Sequence, residues 1–263
     1  MVALSLLVVG SQGPYTIRYA PPVGQKIRYL MSIDMKQAGA AGVPPMGFRQ
    51  DIYQSIRVLS RKGDRTTIEM TTDQIKVTVP KNSPMAGMKS MLESQGKGIK
   101  MTYVMDATGK IVSVKTAADK GNAVAAAAQG MAQGMSQQMG GLNLPNRPIR
   151  VGESWTVNLD MGKLMAGSNA RGMKVKGTMP TTMKLLGVTG GVARLGMTIK
   201  GTMTMTMPQQ NQKVTTSTSG SGTSTVDVAT GLLREMKSTA TTITNVGQIK
   251  MRQVMTQTMR RLG

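Results

Sequence analysis

Sulfur sets the chemistry first open to this chain. Met203, Met205 and Met207 stand two residues apart in the run Met-Thr-Met-Thr-Met. On an extended strand that spacing puts three thioethers on one face, ~6–7 Å apart. Thioethers are soft ligands that favour Cu(I), so a methionine-only copper site is chemically open to the chain. The simpler reading is packing. The chain has 26 methionines against one phenylalanine and one tryptophan, and places Met at isolated core-type positions such as Met70 and Met101. Met is an adaptable apolar filler.

Most other chemistry is closed. His and Cys both number zero. Their absence removes disulfides, thiolate nucleophiles, imidazole bases, Ser-His-Asp triads and Cys/His zinc sites. Only 12 acids are present. Asp106 and Asp227 fall in expected turns and Asp160 follows a strand; none has a second acid nearby in sequence for acid–base work. Ser154 beside Glu153 reads as a strand-start residue, not a nucleophile. The glycines from Gly87 to Gly98 lack the Gly-Lys-Ser/Thr ending of a phosphate loop. The chain reads as a non-enzyme with no catalytic residues, no cofactor and no metal.

The elements that carry these residues are strands. Ile27, Tyr29, Met31, Ile33 and Met35 fall on one face, and Lys26, Arg28, Ser32, Asp34 and Lys36 on the other, with Leu30 the exception. Ile99, Met101, Tyr103 and Met105 continue the style. In the longest case Leu195, Met197, Ile199, Gly201, Met203, Met205 and Met207 alternate mostly with Thr. A strand collects these on one side, whereas a helix would scatter them. Residues 211–226 read as a strand with a thin Thr/Ser/Gly face, or a mobile edge. Two stretches have helical spacing. Ser83-Pro84 caps a short helix that runs to about Ser94. Residues 117–139, with Val124, Ala128, Met131, Met135 and Met139, form a narrow apolar stripe on an Ala/Gln/Gly helix that needs a surface to lie on. The segment 248–262 suits a helix through Met251, Met255 and Met259 and a strand through its Thr and Gln; a strand is favoured because 238–246 is β-like.

Two patterns recur in order. Val23-Gly24 opens a strand that runs to Met35, and Val151-Gly152 opens one that runs to Met161. Asp106-Ala107-Thr108-Gly109 and Asp227-Val228-Ala229-Thr230-Gly231 each precede a β-like run, as Asp-x-x-Gly or Asp-x-x-x-Gly turn chemistry does. The expected organisation is a segment 1–13 left from a signal peptide, then one β-rich domain, 14–263, of two related halves, 14–143 and 144–263. Trp155 at the start of the second half corresponds to Ile27 in the first, which makes it a core anchor.

Val2 to Val9 is apolar and too short to span a bilayer, which needs ~20 residues. It matches the apolar core of a secretory signal, although no Lys or Arg precedes it. An exported protein, periplasmic or in the cell envelope, is expected. The formal charge is +21, from 33 bases spread along the chain. That suits a solvated basic surface or one facing an anionic membrane. Specific nucleic-acid binding is not expected, since seven aromatics, five Tyr with one Phe and one Trp, make no stacking platform.

The segment Pro145-Asn146-Arg147-Pro148-Ile149-Arg150-Val151-Gly152-Glu153-Ser154-Trp155 resembles a family of uncharacterised exported bacterial β-proteins with a P-x-x-P-[VI]-x-V-G-[ED]-S-W segment between two β-rich halves. Tyr19, Gly24 and Tyr29 and the Asp-Gly hairpins are similar to it too. Such proteins look like the LolA/LolB and LppX-like half-barrels, in which a curved sheet wraps over helices. The resemblance implies an envelope location and handling of hydrophobic ligands, and it carries no catalytic residue across. The chain departs from that pattern by its methionine load and by having no lipid-anchoring Cys.

The expected fold is mainly β: a long-stranded, curved antiparallel sheet, a half-barrel, with one or two helices on its concave side. The expected function is binding or carrying a hydrophobic or lipid ligand on a Met-lined concave face. Met197, Met203, Met205 and Met207 would line it, with Met131 and Met135 on the covering helix and Trp155 beside it. The alternatives are a structural or interaction protein with a solid core and basic surface, and a methionine-based Cu(I) binder.

Overall fold

The structure is a computed structural model that describes residues 13–38, 45–80, 83, 86–94, 97–116, 143–161, 174–207 and 212–263. Eleven strands form one sheet: β1 (Lys26–Gln37), β2 (Met46–Lys62), β3 (Arg65–Thr78), β4 (Lys100–Met105), β5 (Ile111–Thr116), β6 (Ser154–Asp160), β7 (Lys174–Thr189), β8 (Val192–Met207), β9 (Gln212–Asp227), β10 (Leu233–Val246) and β11 (Ile249–Leu262). A 3-10 turn, Ala86–Met88, leads into the short helix α1 (Lys89–Ser94), which packs against β3. The strand order is β5-β4-β3-β2-β1-β11-β10-β9-β8-β7-β6, with antiparallel neighbours throughout. Each half of the chain is thus a meander. The two join where β1 meets β11, with Met31 opposite Met259 and Met35 opposite Met255. The sheet is curved and open, with β5 and β6 at its two edges.

The expected β architecture is therefore present, with one helix among the described residues. The predicted helix 117–139 and residues 1–12 of the N-terminal segment lie outside them. The 3-10 turn begins three residues after Ser83 and α1 six residues after it; Met88 in the turn and Met91 in the helix are exposed. Residues 249–262 are a strand, although a spacing of four keeps Met251, Met255 and Met259 on one face in either structure. Pairing with β1 and β10 on both sides decides for the strand.

The starts of β1 and β6 repeat one hydrogen-bond pattern. The Gly24 N–H donates to the Val58 carbonyl at 2.9 Å, and the Gly152 N–H to the Leu185 carbonyl at 2.7 Å. In return the Val58 N–H donates to Gln25 and the Leu185 N–H to Glu153, both at 3.0 Å. Each hairpin then carries a bulge just beyond, at Val58/Ser60 and at Leu185/Gly187. Positive φ at Gly24 (83°) and Gly152 (89°) makes both turns glycine-dependent. On this recurrence we propose that the two meanders are related halves of one domain.

The buried core sits at one end of the sheet. Tyr19, Ile27, Tyr29, Val58, Ile68, Met70, Met101, Tyr103, Met105 and Leu232 form one cluster. Ile17, Leu144, Ile149, Met183, Leu185, Ala193, Leu195 and Val226 form the other. The chain before β1 links them, since Ile17 belongs to one cluster and Tyr19 to the other. It is pinned by main-chain bonds from Tyr15 to Ile149, Tyr19 to Ala107 and Ala20 to Thr230.

Glycines decide which face is concave. A Cβ on Gly222 would stand 2.6 Å from the Lys237 carbonyl oxygen, and one on Gly220 2.6 Å from that of Thr239. The main chain of β10 folds over β9 on that side. Only a residue with no side chain admits so close an approach.

Candidate ligand-binding face

Register defines what lines the concave face. Alternate residues of β8 point the same way as Gly220 and Gly222, because Ile199 pairs with Gly220 and Met197 with Gly222. Met203 and Met205 continue that row, and all of these side chains are half-buried. Met197 faces Met183 across β7, Met203 faces Gly177 and Met205 faces Val175. On the β9 side Met203 faces Thr216 and Met205 faces Val214. No further thioether stands directly across from Met203 or Met205. Met207 ends β8 with its main chain paired to Gln212, and its side chain is not among those described. Met131 and Met135 lie outside the described residues.

Trp155 lies on β6 opposite Met183, half-buried against the second core cluster. Its indole N–H donates to the Asn143 carbonyl at 2.9 Å. That bond ties the edge strand to the chain leading into it.

The sheet adds to this face methionines that the sequence reading did not place among the ligand contacts. Met31, Met259 and Met236 form one row across β1, β11 and β10. Phe48, Met35, Met255, Ala240, Gly220, Ile199 and Thr181 form the next row but one along the strands. Their shared parity within β1 and β11 was visible in the sequence. That β1 and β11 pair was not, since 200 or more residues separate them.

The face is not uniformly greasy. Glutamine amides reach the methionine sulfurs: Gln257 Nε2 donates to Met31 Sδ at 3.2 Å, and Gln253 Nε2 to Met35 Sδ. Thioether sulfur is a weak acceptor, so these contacts orient the side chains more than they bind them. Between the Met-rich flanks, β9 and β10 contribute a strip of Thr, Ser, Gly and Ala. There Thr216 and Thr244 bond at 3.3 Å and Thr218 and Thr242 at 3.2 Å. The result is a trough with soft apolar walls and a thin hydroxyl-and-glycine floor.

The core end is fixed by charge. Asp227 at the end of β9 takes Arg234 Nε at 2.5 Å and Arg261 Nη1 at 2.8 Å. Burial alone would raise this carboxyl; the two guanidinium bonds outweigh it and hold it below the usual aspartate range. Beside it the Tyr29 hydroxyl donates to the Leu233 carbonyl at 2.9 Å. Burial pushes the Tyr29 phenol up to about 12, against the lowering effect of Arg261. Tyr103 is raised to about 12 by burial, and Tyr19 is raised further by burial and by Tyr29. Glu153 is lowered, first by the Arg150 N–H and then by Arg147. Asp227 joins β9 to β10 and β11, Tyr29 joins β1 to β10, and Glu153 closes the turn before β6; Asp227 also lines an open pocket of about 600 Å³ with Lys26, Arg28 and Arg261. Among the described residues no group of three or more His, Cys, Asp or Glu could hold a metal ion. The fold, so far as it is described, is one antiparallel β-sheet.

No family model and no curated protein matches the chain. Among solved structures, lipovitellin, in a structure on lipid–protein interactions in that protein, aligns with a TM-score of 0.51 at 13% identity. The alignment covers 92% of this chain and 25% of that one, so the chain spans about a quarter of lipovitellin's length. The shared feature is the curved, many-stranded antiparallel sheet. Two further matches have TM-scores of 0.21 at 8% identity: Ail, the attachment invasion locus protein of Yersinia pestis, and DynF from the dynemicin biosynthesis pathway of Micromonospora chersina. The first covers 92% of this chain and 100% of its own, the second 96% and 89%. At that score neither informs the fold.

Proposed function

We propose that this is a non-enzymatic protein that binds or carries a hydrophobic ligand, a lipid, on the methionine-lined concave face. The observation that carries the reading is the half-buried apolar surface away from the core end. Met35, Phe48, Met179, Ile199, Met203, Met205, Met251 and Met255 are half-buried there, whereas Met31, Leu185 and Leu195 at the core end are fully buried. Unbranched thioether side chains re-pack around guests of varied shape, and small Thr and Gly residues between them leave room for an acyl chain. The sheet shared with lipovitellin, a protein studied for its lipid interactions, supports the same reading. Met197, Met203, Met205 and Met207 are the proposed ligand contacts, with Trp155 at the edge; Met131 and Met135, proposed with them from the sequence, lie outside the described residues. Export to the periplasm or cell envelope belongs to this proposal and rests on the apolar run Val2 to Val9.

Native mass spectrometry of the purified protein tests it. The expected result is a lipid-sized adduct that organic extraction removes and added palmitic acid restores. Met203→Glu with Met205→Glu should abolish the uptake while thermal stability is kept. A protein that carries no adduct and takes up no palmitic acid ends the proposal.

A further inference from the structure

The opposite face of the same sheet is built differently in its two halves. In β1, β2 and β3 its bases are interleaved with carboxylates: Asp34, Asp51, Glu69 and Asp73. Asp34 pairs with Lys36, and Asp51 with Arg49. From Met161 to Val226 the sequence has no Asp or Glu at all. The outer positions of β7, β8 and β9 therefore carry Lys176, Lys184, Arg194, Lys200 and Lys213 unopposed. All five are exposed, and among the described residues none makes an ion pair. Their cross-strand neighbours are hydroxyls or glycine: Thr204 beside Lys176, Gly196 beside Lys184, Ser219 beside Lys200 and Thr206 beside Lys213. Within this field lies a shallow depression of about 730 Å³ lined by Lys176, Thr178, Pro180, Lys200 and Thr202, together with Val175, Gly177 and Gly201 between them in the same strands. Thr178 and Thr202 are directly paired at its centre, with one lysine toward each end.

We infer that the outer face of β7, β8 and β9 is a docking surface for an anionic lipid bilayer, with the Lys176–Lys200 depression seating a headgroup phosphate. The charge is spread over a broad sheet face and not concentrated in a groove. Only hydroxyls stand between the cations, and they offer hydrogen bonds to phosphate oxygens. No aromatic side chain stands on this outer face for bases to stack on, which sets it apart from a single-stranded nucleic-acid platform. Each lysine held near an anionic bilayer contributes about 1 kcal/mol, or roughly fivefold in binding. The inference is independent of what the concave face holds, because it concerns the other side of the sheet.

Vesicle co-sedimentation tests it, with phosphatidylcholine vesicles alone and with added phosphatidylglycerol. Binding is expected only with phosphatidylglycerol, and is expected to be lost as salt rises from about 0.05 M to about 0.5 M, where the screening length shortens severalfold. A fourfold variant, K176Q/K184Q/K200Q/K213Q, should bind more than tenfold more weakly. The matched variant K26Q/K36Q/K100Q/K115Q removes the same charge from the outer face of the other half and should bind within about twofold of the parent. Lys176→Arg with Lys200→Arg should retain binding, and circular dichroism shows that each variant is folded. Equal losses in the two fourfold variants would mean that net charge alone acts, and would overturn the inference. So would failure to bind phosphatidylglycerol vesicles, or displacement from them by inorganic phosphate or by a DNA duplex at matched charge concentration. Palmitic acid uptake, measured separately, is unaffected by any of these outcomes.

Discussion

Replacing Gly222 with alanine should destabilise this protein, against the usual sign of that change in an extended strand. Gly→Ala at a compatible position ordinarily stabilises by about 0.4–1 kcal/mol, because the unfolded chain loses freedom. Here the added Cβ would stand 2.6 Å from the Lys237 carbonyl oxygen, 2.8 Å from Ser238 Cβ and 3.0 Å from Ser238 Cα. Ordinary carbon contacts lie at about 3.5–4.0 Å. Two of the three obstructing atoms are main chain of β10, so no rotamer change relieves them. The strands must separate by the better part of an ångström or the ladder must distort. Overpacking of this kind costs about 1–3 kcal/mol. Set against the entropic gain, a net loss of roughly 1–2 kcal/mol is expected. In a chain of this size that lowers the melting temperature by about 2–6 °C. Gly220→Ala should behave alike, because its Cβ meets the Thr239 oxygen at 2.6 Å. Gly187 in β7 supplies the control. A Cβ there meets nothing within 4 Å, so Gly187→Ala should keep the ordinary, stabilising sign. Thermal melts followed by circular dichroism compare the three proteins. A Gly222→Ala protein at least as stable as its parent would refute the argument that close approach of β9 and β10 curves the sheet.

Other predictions concern the core end. Leu195 is fully buried in the second cluster, so Leu195→Ala should cost about 2–5 kcal/mol in urea unfolding. Trp155→Phe removes the bond to the Asn143 carbonyl while keeping an aromatic ring, and should cost about 1 kcal/mol by the same measurement. Asp227→Asn weakens two guanidinium bonds and should cost about 2 kcal/mol at neutral pH. The Asp227 carboxyl is lowered in the fold, so its contribution is present above the unfolded value of ~3.9 and is lost as pH falls through the folded value. Melts of parent and variant should therefore converge below about pH 4; a constant gap would contradict the ion-pair assignment. Burial raises Tyr19, Tyr29 and Tyr103, so the unfolded chain ionises first and stability should decline above about pH 10, as alkaline unfolding monitored by phenolate absorbance would show.

The alternation of Ile27 to Met35 and of Leu195 to Met205 was enough to call for strands and to say which residues share a face. A period of two is a local property of the backbone and needs no partner to be read. The turns were legible for the same reason, since Gly24, Gly109, Gly152 and Gly231 supply the positive φ that side-chain-bearing residues resist. The missing Cys and His likewise closed whole classes of chemistry before any fold was known. Which strands lie side by side was decided only by tertiary structure. Nothing in the local pattern of Met31 or Met259 names the other as its neighbour; the pairing of β1 with β11 depends on closing a loop of more than 200 residues, and the register follows from turning the apolar set of both strands to the same face. The same holds for the Thr/Gly floor of the trough. In the sequence Gly220 and Gly222 marked a weak strand, and only their pairing with β10 shows that neither position has room for a side chain. The separation of a lysine-bearing face, without acids from Met161 to Val226, from a methionine-lined one is likewise a product of assembly, because alternation sorts residues into two sets but only the joined sheet makes each set a surface.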